Sequence, residues 1–175
     1  IYTNINSTSA KSSYRSELIT QTNNQIIERI PSGYKEFDRV LGGGLVPGSL
    51  VLIGGDPGIG KSTLILQSAT QMAHKRSVLY VAAEESAQQV KLRWNRIDDS
   101  ESNLHLLAET DLELVIKELD YLKPEVAVID SIQALHDQNL SSAPGSVSQV
   151  RECSAALQQI AKRENISLLI IGHVT

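Results

Sequence analysis

Cysteine and aromatic side chains are scarce in this 175-residue sequence. It contains a single cysteine, Cys153, together with one tryptophan and one phenylalanine. A lone cysteine can form neither an internal disulfide nor a cysteine-based zinc site, so we expect a reducing compartment. We also expect Cys153 to be a packed residue of a helix. The chain has the length of a single domain, which is enough to bury an apolar core.

Long apolar runs and an excess of positive charge are also absent. No run reaches membrane length and no segment has the pattern of a secretion signal, so we expect a cytoplasmic protein with no membrane partner. The formal net charge is −4, and any contact with nucleic acid must therefore be local. The first residue is Ile rather than Met, which predicts a segment of a longer chain.

One motif of high specificity is present, a glycine-rich stretch of the form G-x-x-x-x-G-K-[ST]. Small residues let backbone N–H groups surround a phosphate, Lys61 supplies a positive charge, and the Ser62 hydroxyl can hold Mg²⁺. The helix that begins here directs its N-terminal dipole at the same anion. We expect nucleotide contacts from the whole stretch, Gly55, Asp56, Pro57, Gly58, Ile59, Gly60, Lys61, Ser62 and Thr63.

Strands and helices alternate along most of the chain. Residues 1–25 are rich in Ser, Thr and Asn and predict a flexible linker or tail, which leaves 26–175 as the domain. An edge strand is expected at 26–31, with Ser32 capping the first helix. Apolar runs predict further strands at 50–53, 77–83, 104–107, 126–130 and 167–172. Helices are predicted at 34–41, 61–73, 86–98, 111–122 and 147–164. This order predicts an α/β fold, a mostly parallel sheet with helices on both faces.

Polar side chains follow these strands at the edge where parallel sheets bind ligands. Asp130 ends an apolar strand, a pattern typical of the carboxylate that holds Mg²⁺ beside a phosphate loop. Glu84 is the first candidate to orient and deprotonate an attacking water, and Glu85 is the second. His173 can donate to the γ-phosphate. The alternatives are a solvated acidic loop for the glutamates and a strand-end histidine without a catalytic role.

Several segments together resemble the RecA-like ATPases and, among them, the RadA/Sms family of bacterial DNA-repair proteins. These segments are 33–49, the phosphate loop at 54–63, 84–86 and 143–152. The resemblance covers about residues 26–175. It implies a RecA-like P-loop ATPase core, truncated at its C-terminal side, in which Glu84 is the catalytic carboxylate.

The resemblance also implies a biological role. It predicts an ATP- and Mg²⁺-dependent motor of the bacterial cytoplasm that acts on single-stranded or branched DNA by branch migration or helicase-like movement. A hexameric ring of identical subunits and a recombinase partner are further implications. The family has an N-terminal four-cysteine zinc motif, a Lys-Asn-Arg-Phe-Gly motif and a C-terminal Lon-protease-like domain. None of these occurs in this sequence, so zinc binding is expected only outside it.

The segment 136–151 is the candidate DNA contact. It is rich in hydrogen-bond donors, including Gln149, and its composition predicts a mobile loop without an aromatic residue to stack on bases. Contact would therefore go to phosphate oxygens, through N–H groups at the start of helix 147–164 and through Arg151. The alternative is a solvated loop in which Arg151 pairs with a neighbour in its own helix.

Three other function classes compete with this interpretation. A KaiC-like signalling ATPase shares the glycine turn and the paired glutamates and needs no DNA, although residues 143–147 argue against it. A GTPase-type switch would carry Asn-Lys-x-Asp, which this sequence lacks. A small-molecule kinase would not need a carboxylate at the end of the second buried strand.

Overall fold

The protein is described by a computed structural model that covers residues 16, 18–22, 27–97 and 102–173. Most of the predicted tail at 1–25 lies outside these ranges. The strands are β1 (Leu50–Gly55), β2 (Val78–Ala82), β3 (Leu104–Leu107), β4 (Val126–Asp130) and β5 (Ser167–His173). The helices are α1 (Lys35–Val40), α2 (Lys61–Ala73), α3 (Ala87–Trp94), α4 (Leu112–Leu122) and α5 (Val147–Glu164), with a short 3₁₀ helix at Ile132–Ala134.

The five strands form one parallel sheet in the order β1-β5-β4-β2-β3. Parallel strands need a crossover connection, and a helix supplies it between each pair of consecutive strands, from α2 after β1 to α5 after β4. The alternation of strands and helices predicted from the sequence is therefore confirmed. The order also lines up the carboxyl ends of β1, β5, β4 and β2 in one row.

Helices cover both faces of the sheet, as predicted. The inward residues of β2 and β4 alternate between two cores: Leu79 and Ala127 belong to the core under α4 and α5, whereas Tyr80 and Val128 belong to the core under α2 and α3. All five residues of each of these strands are buried. This explains why the two strands appear as continuous apolar runs rather than alternating ones.

The N-terminal part of the domain differs from the prediction. In place of an edge strand at 26–31, of which 27–31 are described, one antiparallel bridge joins Ile30 to Leu45. Ser32 does not cap α1: the N-cap is Tyr34, without a side-chain cap, and the Ser32 hydroxyl bonds the backbone of Tyr34 instead. Pro31 removes a backbone donor, which limits pairing at this point.

Helix limits agree with the sequence to within a few residues, with one larger difference. The helix expected at 86–98 ends at Trp94, and residues 95–97 continue as turns. Cys153 is fully buried in the core, as predicted. Across the described ranges there is no helix with both the length and the apolar character to cross a membrane. Nor do these ranges contain a group of three or more His, Cys, Asp or Glu side chains suited to a metal ion.

Candidate active site

The phosphate loop joins the end of β1 to the start of α2. Gly55 is the last residue of β1 and Lys61 is the first of α2. Between them, φ is 79° at Gly58 and 93° at Gly60, in the left-handed region that residues with a Cβ rarely adopt. The turn itself therefore requires both glycines, and it leads the chain directly into the helix.

The N–H groups of this loop are available to a ligand. In the part of the chain that the structure describes, the N–H groups of Gly58, Ile59 and Gly60 donate to no other protein group. The loop is exposed and precedes a 13-residue helix, whose N-terminal dipole favours an anion. This arrangement suits a phosphate group.

Lys61 carries the positive charge of the loop. It is 7% exposed, and its Nζ donates to the carbonyl oxygens of Gly55 and Asp56, each over 2.7 Å. These neutral acceptors hold the ammonium group against the loop. A phosphate oxygen would be a stronger acceptor, because the hydrogen bond would then join opposite charges.

Asp130, the last residue of β4, is 5% exposed and accepts hydrogen bonds on both oxygens. The Ser62 hydroxyl donates to Oδ1 over 3.0 Å, and the Tyr80 hydroxyl donates to Oδ2. A carboxylate and a hydroxyl supply hard oxygen ligands, which Mg²⁺ prefers and usually combines with phosphates and water. Ser62 and Asp130 therefore fit the predicted metal position.

Opposing effects act on the pKa of Asp130, and their net result is a rise. Burial raises the pKa of Asp130, and the charge of Glu84 adds to this effect, whereas hydrogen bonds from Tyr80 and Ser62 and the charge of Arg93 lower it without cancelling the rise. Burial and the adjacent carboxylate also raise the pKa of Tyr80, so its hydroxyl remains a donor at neutral pH. A divalent cation bound at Asp130 would favour the ionised carboxylate.

Backbone hydrogen bonds fix the turn after β2 beside the end of β4. The N–H groups of Ala83 and Glu84 donate to the carbonyl oxygen of Asp130 over 2.7 and 3.3 Å. Glu84 Oε1 accepts from the Ser131 hydroxyl and lies 3.0 Å from His173 Nε2. Glu84 Oε2 accepts no hydrogen bond from the described residues, and the side chain is 39% exposed. The Glu84 side chain is therefore accessible to water.

The adjacent carboxylate has a different partner. Ser86 and Gln89 form a capping box that begins α3 immediately after Glu85. From the last turn of α3, Arg93 reaches back to Glu85, and its Nη1 lies 2.5 Å from Oε2. Glu85 is thus engaged in an ion pair, whereas Glu84 contacts the chain at the ends of β4 and β5.

The sequence does not predict three residues of this site: Tyr80, Ser131 and Arg93. Tyr80 lies within an apolar strand and Arg93 lies near a helix end, where a basic residue is usually solvated, so neither position carries a signal of its role. Ser131 directly follows Asp130 at a strand end, and that adjacency is the one signal that could have indicated it. The residues that the sequence does predict for the catalytic, phosphate-binding and metal positions lie on this edge of the sheet.

A cavity of about 410 Å³ lies beside His173 at the same edge. Gln133, just beyond β4, donates from Nε2 to the backbone oxygen of His173 over 3.1 Å. Arg151 of α5 lines the cavity and is exposed. Its side chain makes no ion pair or hydrogen bond with the residues that the structure describes, which argues against the intrahelical pair considered for it.

The loop before α5 is more constrained than its composition suggests. Gln149 is 1% exposed. Its Nε2 donates to the carbonyl oxygens of Asp137 and Ser142, and its Oε1 accepts from the N–H of Asp137. The expectation that Gln149 is a donor available to DNA is therefore wrong, because its amide holds the loop together.

Comparison with known proteins gives a consistent assignment. The domain family described as AAA domain matches residues 21–175. The DNA repair protein RadA of Synechocystis sp. is 56% identical, covering 84% of this chain and 33% of its own length. RadA of Listeria monocytogenes is 52% identical, covering 90% and 35%, and RadA of Streptococcus pneumoniae is 54% identical, covering 85% and 36%. The chain thus spans about a third of the length of these relatives, and the predicted resemblance is confirmed.

Solved structures show the same fold. A DnaB-like replicative helicase superposes with a TM-score of 0.70 at 18% identity, over 85% of this chain and 44% of the helicase chain. A second solved structure, of an ATPase domain, superposes with a TM-score of 0.68 at 17% identity, over 85% and 65%. Both likenesses confirm the predicted RecA-like architecture.

Replacing Lys61 tests the phosphate loop. We expect Lys61→Ala to abolish ATP hydrolysis and to weaken Mg-ATP binding by about 2–3 kcal/mol, the scale of a lost charge-assisted phosphate contact. Binding is measured by titration with a fluorescent ATP analogue. Lys75→Ala, which alters an exposed lysine beyond the other end of α2, is the control. Normal hydrolysis by a folded Lys61→Ala protein would refute the assignment.

Proposed function

The chain belongs to the AAA domain family, and from this premise we propose that it is the ATPase part of a DNA-repair motor. The protein binds ATP with Mg²⁺, hydrolyses ATP and uses the cycle to act on single-stranded or branched DNA in the bacterial cytoplasm. Identity above 50% to RadA proteins that are named for DNA repair supports this role.

One observation carries the proposal, the row of functional groups along the carboxyl edge of the sheet. Register places Gly55 opposite His173, and Asp130 opposite both Ile171 and Ala82. The phosphate loop, His173, Asp130 and Glu84 therefore follow each other across the ends of β1, β5, β4 and β2. Such a row can bind a triphosphate, hold its metal ion and place a base near the γ-phosphate, which supports the proposal.

Nucleotide binding is assigned to the loop and the metal position. The loop N–H groups and Lys61 hold the phosphates, and Ser62 and Asp130 hold Mg²⁺, with Thr63 beside them. When bound, Mg²⁺ neutralises phosphate charge and so favours attack on the γ-phosphate. Asp56, Pro57 and Ile59 complete the contact surface of the loop.

Water activation is assigned to Glu84. Its side chain is 39% exposed and its Oε2 accepts no hydrogen bond from the described residues, while Oε1 accepts from Ser131 and lies beside His173. Glu84 accepts a proton from the water that attacks the γ-phosphate. His173 can donate from Nε2 to a γ-phosphate oxygen, and in doing so it would leave Glu84. This exchange gives His173 the role of reporting whether the γ-phosphate is present.

DNA contact is assigned to the start of α5. Arg151 is exposed without a protein partner among the described residues, and Ser146 caps the helix at the adjoining turn. A guanidinium and helix N–H groups bind phosphate oxygens irrespective of base sequence. A hexameric ring would repeat this weak contact around a central channel, which compensates for the negative net charge. A recombinase is the expected protein partner.

Replacing each of the two glutamates in turn tests the catalytic assignment. We expect Glu84→Gln to bind ATP normally but to turn over at least about 100-fold more slowly, the usual scale for loss of a general base. Glu85→Gln is the matched variant and should retain more activity, because Glu85 is paired with Arg93. Single-turnover hydrolysis separates binding from chemistry. Inactive Glu85→Gln with active Glu84→Gln would reverse the two roles.

Comparing the isolated segment with the full-length protein tests whether the active site is shared between subunits of a ring. RecA-like sites commonly take a cation from a neighbouring subunit to complete the transition-state charge. We therefore expect residues 1–175, as a monomer, to hydrolyse ATP much more slowly than the full-length protein at equal Mg-ATP occupancy. Equal rates from a fragment that sedimentation shows to be monomeric would contradict a site shared between subunits.

Replacing Arg151 tests the DNA path. We expect Arg151→Ala to weaken binding of single-stranded DNA and its stimulation of hydrolysis, with basal ATP binding intact. Each phosphate contact that is lost should also reduce the dependence of log affinity on log salt by about one unit. Lys162→Ala, at the far end of the same helix, is the control. Unchanged affinity and salt slope would place the DNA path elsewhere.

A further inference from the structure

Arg93 lies between two acidic strand ends. Its Nη1 is 2.5 Å from Glu85 Oε2, and its Nη2 is 4.0 Å from Asp130 Oδ2. The side chain is 20% exposed although it comes from the last turn of a surface helix. The guanidinium therefore joins α3 to the carboxyl ends of both β2 and β4.

The hydrogen bonding of this guanidinium is incomplete. Nε and Nη2 of Arg93 are shielded from solvent and have no hydrogen-bond partner in the described part of the protein. Burying such donors is unfavourable unless a nearby negative charge offsets the lost hydration. Asp130 Oδ2, at 4.0 Å from Nη2, is placed to supply that charge.

The two oxygens of Asp130 are thereby divided between two functions. Oδ2 accepts a hydrogen bond from Tyr80 and lies 4.0 Å from Arg93 of α3. Oδ1 accepts a hydrogen bond from Ser62 at the start of α2. Groups that hold one oxygen of a carboxylate determine the direction in which the other oxygen points. Oδ1 is consequently left for the side of the phosphate loop.

We propose that Arg93 is a positioning residue for the magnesium–nucleotide site. It holds Asp130 through Oδ2 so that Oδ1 stays beside Ser62, and it keeps Glu85 paired just before α3 so that Glu84 alone enters the site. This inference rests on the proposed role of Asp130 in holding Mg²⁺. It adds a residue whose contacts are with Asp130 and Glu85 rather than with the phosphate loop.

A guanidinium suits this task better than an ammonium group. Its rigid fork presents separate N–H groups to two carboxylates at once, whereas a lysine offers one compact charge. Arg93→Lys should therefore keep the 2.5 Å contact with Glu85 and lose the longer one with Asp130. Arg93→Met removes both contacts while it keeps an unbranched apolar side chain.

The experiment measures metal binding directly in the full-length protein. Mn²⁺ is titrated into the ADP-bound protein and followed by electron paramagnetic resonance, and the affinity for fluorescent ADP is measured with Mg²⁺ and with EDTA. We expect Arg93→Met to weaken Mn²⁺ binding about 10–100-fold, the range for lost partners of a metal ligand. Affinity for ADP in EDTA should stay within about twofold of wild type, since the phosphate loop is intact.

Two further variants separate positioning from structural support. Arg96→Met alters an exposed arginine just beyond α3 and should leave both measurements unchanged. Glu85→Gln combined with Arg93→Met removes the charge that Arg93 would otherwise leave unpaired. We expect this double variant to retain the Mn²⁺ defect, because Asp130 still lacks the charge of Arg93.

Several outcomes would overturn the proposal. Wild-type Mn²⁺ binding in Arg93→Met, or full recovery in the double variant, would reduce Arg93 to a structural ion pair with Glu85. If Arg93→Met does not fold, Arg93→Lys replaces it, and an unchanged Mn²⁺ titration in that variant would have the same meaning. Asp130→Asn separates the premise from the inference: if it leaves Mn²⁺ binding intact, the metal assignment itself fails.

Discussion

The buried carboxylate of Asp130 determines how the rest of this edge of the sheet is built. A charge that is 5% exposed must be paired and hydrogen-bonded, or it will be lost by protonation. The partners come from three different elements: Ser62 from α2, Tyr80 from β2 and Arg93 from α3. Each of these partners belongs to a packed helix or strand. The contacts of Asp130 therefore connect β4 with β2, α2 and α3.

Backbone contacts at the same residue explain how two adjacent glutamates acquire different environments. The N–H groups of Ala83 and Glu84 donate to the carbonyl oxygen of Asp130, which holds the turn against β4. The capping box of α3 begins one residue after Glu85 and directs that side chain towards Arg93. Backbone geometry, rather than any chemical difference between the two carboxylates, therefore separates the position that water can reach from the one held by a cation.

The features that the sequence predicts are those whose cause is local. The phosphate loop requires small residues within a few positions, and the buried strands require apolar runs, so both are visible without a structure. The pairs Tyr80–Asp130 and Ser131–Glu84 join residues 50 and 47 positions apart, and they depend on β2 and β4 being neighbours. Gln149 shows the opposite error: composition suggests a free donor, but the fold uses its amide to close a loop.

The position of Asp130 also has an energetic consequence for the whole domain. Burial raises its pKa, so keeping the carboxylate ionised at neutral pH works against folding, and Tyr80, Ser62 and Arg93 offset this cost only in part. A cation that binds the ionised carboxylate offsets the part of this cost that the protein groups do not. Since such a ligand binds the folded chain and not the unfolded one, its binding free energy adds to the stability of the sheet. Burial of the ionised Asp130 thus lowers the stability of the domain without ligand. Binding of the nucleotide and its metal ion at the same residue would raise that stability.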